Sequence, residues 1–175
     1  MSESTPEKKV FIKTFGCQMN EYDSGKMRAL LGHDGYVSVS EPDEADVILV
    51  NTCSVREKPE HKLHSFIGEV KHLRKEGVQI GITGCMAQHD GERLFRKYRK
   101  DVDLVLGPDQ VPQIRSLVAR ASKERVLANE FMDLDEYAFV RDLDPAAETS
   151  TGAFVTIQKG CDNKCTFCIV PATRG

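Results

Sequence analysis

Six cysteines fall into two groups of three, and the two groups have different settings. Cys161, Cys165 and Cys168 form C-x3-C-x2-C within Lys159-Gly-Cys-Asp-Asn-Lys-Cys-Thr-Phe-Cys168, a spacing that one loop can close around a metal group. A structural zinc site ordinarily takes four protein ligands, commonly paired as C-x2-4-C. No fourth Cys or His lies close by in sequence, and the nearest His is His89. A disulfide among three thiols leaves one over. Three thiolates instead suit three irons of a [4Fe–4S] cluster, with the fourth iron open to a substrate or cofactor.

Cys17, Cys53 and Cys85 share another context. They follow the apolar runs in Val10–Gly16, Val47–Thr52 and Ile80–Gly84. Their intervals of roughly 30–40 residues match βαβ units. Each is expected where a strand ends and its loop begins. Parallel strands present their carboxyl ends on one edge, which is where α/β sheets bind ligands. With strand order 2-1-3-4-5, these three strands are neighbours at ~4.8 Å spacing, close enough for one metal cluster. Gly16 and Gly84 let the backbone turn tightly beside such a group. The plainer reading is three buried structural thiols, since free Cys is among the most buried residue types.

The elements that must carry these residues alternate along the chain. Five strand-length apolar runs are expected at Val10–Phe15, Tyr36–Val39, Val47–Asn51, Val78–Thr83 and Val102–Leu106. Between them, Leu63, Phe66, Ile67, Val70 and Leu73 recur at helical spacing, with Pro59 tolerated in the first turn and Gly77 as terminator. Met27, Leu30 and Leu31 mark an earlier helix ended by Gly32 or Gly35. Leu94, Phe95 and Tyr98 mark a third, and Val111, Ile114, Leu117 and Val118 a fourth. The crossover at Ser40–Ala45 is short for a helix. The alternation predicts an α/β fold: a five-stranded parallel sheet with helices on both faces, Rossmann- or flavodoxin-like.

Boundaries follow from composition. Residues 1–8 read as a disordered tail and 9–132 as the α/β domain. Residues 133–151 are acidic, with small residues, Pro and Ser/Thr, and read as a linker. A new alternating run, Ala153–Gln158, then leads into the second cysteine group, so 152–175 reads as the truncated start of another domain.

The 175 residues carry 24 Lys+Arg against 27 Asp+Glu, a net charge of −3 that argues against bulk electrostatic grip on nucleic acid in this segment. Hydrophobic residues at 40% and charged residues at 29% suit one core and exclude a disordered chain. The longest wholly aliphatic run, Val47–Val50, is far short of the ~20 residues that span a bilayer. The polar start Met1–Lys9 lacks the apolar segment of an export signal. A cytoplasmic setting with reduced thiols is expected, and an even cysteine count does not imply disulfides there.

Here the motifs carry a family resemblance. C-x3-C-x2-C with Phe167 before its last cysteine resembles the cluster loop of radical S-adenosylmethionine enzymes. The continuation Ile169-Val-Pro-Ala-Thr-Arg-Gly175 narrows the resemblance, as do Phe15-Gly-Cys-Gln-Met-Asn-Glu-Tyr-Asp-Ser24 and Asn51-Thr-Cys-Ser-Val-Arg56. Together they resemble the methylthiotransferases, and within these the branch that modifies tRNA. The likeness runs from about Lys9 to Gly175.

The resemblance implies two [4Fe–4S] clusters and S-adenosyl-L-methionine as cofactors. By motif position, Cys17, Cys53 and Cys85 would hold an auxiliary cluster. Cys161, Cys165 and Cys168 would hold the S-adenosylmethionine-binding cluster, and Phe167 would pack beside the adenine of that cofactor. No side chain is assigned a catalytic role. The implied reaction is radical methylthiolation of carbon 2 of N6-isopentenyladenosine at tRNA position 37, beside the anticodon. The implied partners are that tRNA and an electron donor, with no membrane, and the protein is expected to be a monomer. A barrel and an RNA-binding domain should follow Gly175, so this chain alone is not expected to complete the reaction.

Other readings stay open. One is a methylthiotransferase acting on a ribosomal protein or on threonylcarbamoyladenosine, and another is a non-catalytic metal-binding module. Asn20, Glu21 and Asp23 suit either helix capping or a place near the auxiliary cluster. His61 and His64, three apart on a helix, suit solvent or core more than ligation. Arg56 and Arg174, just beyond cysteines, suit either a surface ion pair or a contact with phosphate or cluster charge.

Overall fold

The computed structural model describes residues 7–54, 57–132 and 156–175. Six strands form one all-parallel sheet in the order β2-β1-β3-β4-β5-β6. They are β1 (Lys8–Phe15), β2 (Tyr36–Ser38), β3 (Val47–Thr52), β4 (Gln79–Gly84), β5 (Leu104–Leu106) and β6 (Val126–Ala128). The helices are α1 (Gln18–Gly32), α2 (Glu57–Val70), α3 (Cys85–Lys97), α4 (Ile114–Ala121) and a short α5 (Val170–Arg174).

The order of the first five strands is the one expected, and a sixth strand corrects the count of five. Val126–Ala128 is only three residues long and pairs with β5 as Leu104↔Val126 and Leu106↔Ala128. So short a run shows little periodicity on its own; the β5 edge supplies the hydrogen-bonding partner that makes it a strand. β1 begins at Lys8, inside the stretch read as tail, because its register with Tyr36 gives that residue a ladder partner. The short crossover carries a single 3-10 turn at Pro42–Glu44.

Strand periodicity divides the core between the two faces. Ile48, Val50, Ile80 and Ile82 face one side and pack with Leu63, Phe66 and Ile67 of α2 and Leu94 of α3. Val47, Leu49, Leu104 and Leu106 face the other and pack with Met27 and Leu31 of α1 and Ile114 and Leu117 of α4. Every residue of β3 is buried, as expected of a central strand covered on both sides. The α2 stripe breaks after Val70 into a 3-10 turn at Leu73–Glu76, closed by Gly77 in the left-handed conformation at φ 95°.

The linker read at 133–151 lies outside the described residues, as do residues 1–6 and Arg56. Of the run 153–158, only Thr156, Ile157 and Gln158 are described, and they form no strand.

Candidate metal centre

The carboxyl edge of the sheet is built by three strand ends in register. Phe15 of β1 pairs with Thr52 of β3, and Thr52 pairs with Gly84 of β4. Cys53 and Cys85 directly follow the last two, and Cys17 follows Gly16 after the first. The Cys53 N–H donates to the Phe15 carbonyl at 3.0 Å, which extends the β1–β3 ladder one residue past the strand. All three thiols therefore stand on one edge, on neighbouring strands.

Two of the three also open helices. Cys17 is the extended N-cap of α1, and Cys85 is the first residue of α3. Unpaired N–H groups and the dipole at a helix start favour negative charge beside them. Gly84 makes the Cys85 turn possible. Its φ is 92°, and a Cβ there would lie 2.3 Å from Asn51 Oδ1 and 2.5 Å from the Thr52 carbonyl.

A buried asparagine pair fixes the Cys17 turn. Asn20 is fully buried; its Oδ1 accepts from the Cys17 N–H at 3.2 Å and lies 3.5 Å from Cys17 Sγ. Asn20 Nδ2 donates to Asn51 Oδ1 at 2.9 Å and to the Thr52 carbonyl at 3.2 Å. Asn51 Nδ2 donates in return to the Asn20 carbonyl at 2.8 Å and to Ser24 Oγ at 2.9 Å. The start of α1 is thus tied by side chains to the end of β3, where the β1–β3 ladder stops.

Cys17 is exposed, whereas Cys53 and Cys85 are buried. Burial pushes the Cys85 thiol up, and Arg174 pulls it back. Arg174 comes from α5, beyond the second cysteine group, and is only 8% exposed. Its Nε donates to Cys85 Sγ at 3.2 Å, and its Nη1 lies 2.7 Å from Asp23 Oδ2. Burial opposes the guanidinium charge, but Asp23 and Cys85 outweigh it and hold the Arg174 pKa above the ordinary arginine value. Of the roles weighed for Arg174, the surface ion pair is excluded: its pair with Asp23 is buried. Glu21 is exposed, and Asp23, at 5% exposure, faces Arg174.

The second group sits on the segment leading into α5. The Cys161 N–H donates to the Gly175 carbonyl at 3.0 Å, which folds the loop back on its own end. The Cys168 N–H donates to the Cys165 carbonyl at 3.1 Å, and Asn163 Nδ2 donates to Cys161 Sγ at 3.4 Å. Cys165 is exposed, Cys161 and Cys168 are half-buried, and Phe167 stands 92% exposed. A second tie to the α/β domain joins Lys159 Nζ to Asp109 Oδ2 at 2.7 Å; Asp109 is buried and also accepts the Met132 N–H at 3.1 Å.

Among the described residues, no three His, Cys, Asp or Glu side chains are grouped so as to hold a metal ion. The three thiols of the first group are stepped across neighbouring strands at ~4.8 Å intervals. Sulfur ligands are those that iron–sulfur clusters take. His61 and His64 do not join either group. His61 is exposed, and His64 lies in the α2–α3 interface against Glu60, Lys97 and Tyr98.

The sequence reading did not foresee the Asn20–Asn51 tie or the burial of Arg174. Asn51 did carry a signal: it is the one polar residue directly ending the aliphatic run Val47–Val50.

A parallel sheet covered by helices on both faces defines a doubly wound α/β domain, with three cysteines on its carboxyl edge. The chain belongs to the family described as "Uncharacterized protein family UPF0004", whose model matches residues 9–107. It is 47% identical over 175 residues to a protein of Anaeromyxobacter sp. (strain K) named tRNA-2-methylthio-N(6)-dimethylallyladenosine synthase, covering 99% of this chain and 38% of that one. It is 46% identical over 171 residues to the protein of that name from Delftia acidovorans, covering 96% and 38%, and 45% identical over 174 residues to that from Myxococcus xanthus, covering 96% and 37%. The chain thus spans well under half the length of these relatives. The resemblance read from the cysteine motifs and the homology agree on the methylthiotransferases.

Proposed function

We propose that the chain is the auxiliary-cluster domain and the S-adenosylmethionine cluster loop of an enzyme that methylthiolates carbon 2 of N6-isopentenyladenosine at tRNA position 37. The observation that carries this reading is the alignment of Cys17, Cys53 and Cys85 on adjacent strand ends, in a chain similar to synthases of that name. When bound, the two [4Fe–4S] clusters would supply reductive cleavage of S-adenosyl-L-methionine and a site for the transferred sulfur.

The chain's own residues do the positioning. Cys17, Cys53 and Cys85 would ligate the auxiliary cluster, two of them buried on the rigid strand edge and Cys17 facing solvent, where a substrate can approach. Asn20 and Asn51 hold the Cys17 turn against β3. Cys161, Cys165 and Cys168 would ligate the second cluster, and the exposed Phe167 ring is free to cover the adenine of S-adenosylmethionine. The domain limits proposed are 9–132 for the α/β unit, 133–151 for a linker and 152–175 for the start of a radical-enzyme barrel. The tRNA and an electron donor are the proposed partners of a monomeric, cytoplasmic enzyme. Among the described residues no helix is long and apolar enough to cross a membrane.

Anaerobic reconstitution with iron and sulfide tests the ligand assignment. The chain should bind a stable cluster, and Cys53→Ala should lose most of the bound iron. Cys165→Ala should lose little, because among the described residues Cys165 and Phe167 stand exposed to water, which weakens a ligand site. Iron retained in Cys53→Ala but lost in Cys165→Ala would overturn the assignment of the stable site.

A further inference from the structure

Arg174 is a buried charged side chain that the 156–175 segment inserts into the carboxyl edge of the sheet. It comes from one cysteine group and contacts the other: Nε donates to Cys85 Sγ at 3.2 Å, while Nη1 meets Asp23 at 2.7 Å. Nη2 is buried and has no hydrogen-bond partner among the described residues. A guanidinium held in this way is costly unless its neighbours repay its desolvation. Asp23 provides the charge, and α1 holds Asp23 rigidly, since Asn20 and Ser24 on the same turns are locked to Asn51.

From this geometry we infer that Arg174 is a positioning residue that latches α5, and with it the Cys161–Cys168 loop, onto the Cys85 end of the sheet. This rests on the ligand reading above in one respect: with a cluster on Cys17, Cys53 and Cys85, the guanidinium is a hydrogen-bond donor to a ligating sulfur. Hydrogen bonds to cluster sulfurs set reduction potential, and donors to sulfur stabilise the more negative, reduced form. Arg174 therefore has two effects. It fixes the loop carrying one triad relative to the other, and it raises the potential of the group that Cys85 ligates. Lysine cannot replace it fully, because an ammonium lacks the planar fork that spans Asp23 and Cys85 together.

Two measurements on the 175-residue chain test the latch and the sulfur contact separately. In the metal-free, reduced chain, hydrogen exchange across residues 169–175 should quicken about tenfold in Arg174→Met and in Asp23→Asn, with β3 and β4 unchanged. The Asp23→Asn variant keeps the side-chain shape and serves if Arg174→Met fails to fold. Unchanged exchange in this segment would overturn the latch. In a Cys161→Ser, Cys165→Ser, Cys168→Ser background reconstituted with iron and sulfide, Arg174→Met should move the potential of the remaining cluster to more negative values. Arg174→Lys should restore part of the shift, which a merely structural role would not predict. An unmoved potential would overturn the sulfur contact. If that background binds no iron at all, the ligand reading fails instead, and the exchange measurement still decides the latch.

Discussion

Asn20 and Asn51 hold each other across the carboxyl edge of the sheet: Asn20 Nδ2 donates to Asn51 Oδ1 at 2.9 Å, and Asn51 Nδ2 donates to the Asn20 carbonyl at 2.8 Å. Both are fully buried. Removing one partner leaves the other's polar atoms without water or protein, which costs about 1–3 kcal/mol per orphaned group. Asn51→Ala should therefore lower the unfolding free energy by about 3 kcal/mol, read as a shifted urea midpoint at constant slope. The Asn20→Ala, Asn51→Ala pair should cost clearly less than the two single changes summed, because they break the same tie. Simple additivity would mean the tie contributes little.

Gly84 and Gly35 make a matched contrast. Both have positive φ, 92° and 79°, but a Cβ on Gly35 meets open space, whereas one on Gly84 strikes Asn51 and the Thr52 backbone. Gly35→Ala should cost about 1 kcal/mol from backbone strain alone. Gly84→Ala adds a backbone collision and should cost at least ~3 kcal/mol, displacing Cys85 in the process. Thermal melts by circular dichroism would rank the two variants. Equal losses would show that β4 can shift away from the clash.

The outcomes at β3 and β6 show what kind of information the sequence holds. Val47–Val50 has one environment on both faces, so its composition alone marks a buried parallel strand. β6 has three residues, of which only Val126 is fully buried; its strand character comes from β5, not from itself. The same distinction separates the site's residues. Cysteines at strand ends are a local pattern repeated three times. The Arg174 contacts join residues far apart in sequence, to Asp23 on α1 and Cys85 at α3, and no local pattern encodes which loop end will reach which helix.

His64 sets a pH dependence whose sign is fixed. Burial, then the Lys97 charge, holds its imidazole below the usual histidine range, with Glu60 opposing. The unfolded chain therefore takes up this proton first as pH falls through ~6.5, and the folded state follows only at lower pH. Stability from this group is present above ~6.5 and is lost on acidification through that window. The melting temperature should fall less between pH 7 and 5 in His64→Gln than in the unaltered chain. Parallel profiles would remove His64 as the cause. On the alkaline side, its neighbour Tyr98 is pushed up to about 12, chiefly by burial, so its contribution fades between about pH 10 and 12.

The proposed division of labour between the triads predicts two kinds of inactive enzyme. Consider the complete methylthiotransferase of which this chain is proposed to be a part. Cys165→Ala should abolish both 5′-deoxyadenosine formation and the 2-methylthio product, since the loop thiols would hold the group that binds S-adenosyl-L-methionine. Cys17→Ala should abolish the product while leaving some uncoupled 5′-deoxyadenosine, because the hydrogen bonds of Cys17 run to the first turn of α1 and not to the Cys161–Cys168 loop. The exposure of Cys17 matters here: alone of the three sheet-edge thiols it is exposed, so its loss would open the proposed substrate side and leave the buried Cys53 and Cys85 in place. Both products would be followed in each variant, with iron loading and folding checked in parallel. A folded Cys17→Ala enzyme that keeps its second cluster yet forms no 5′-deoxyadenosine would show that the two triads act as one unit. Methylthiolated tRNA from either variant would remove that cysteine from the proposed chemistry.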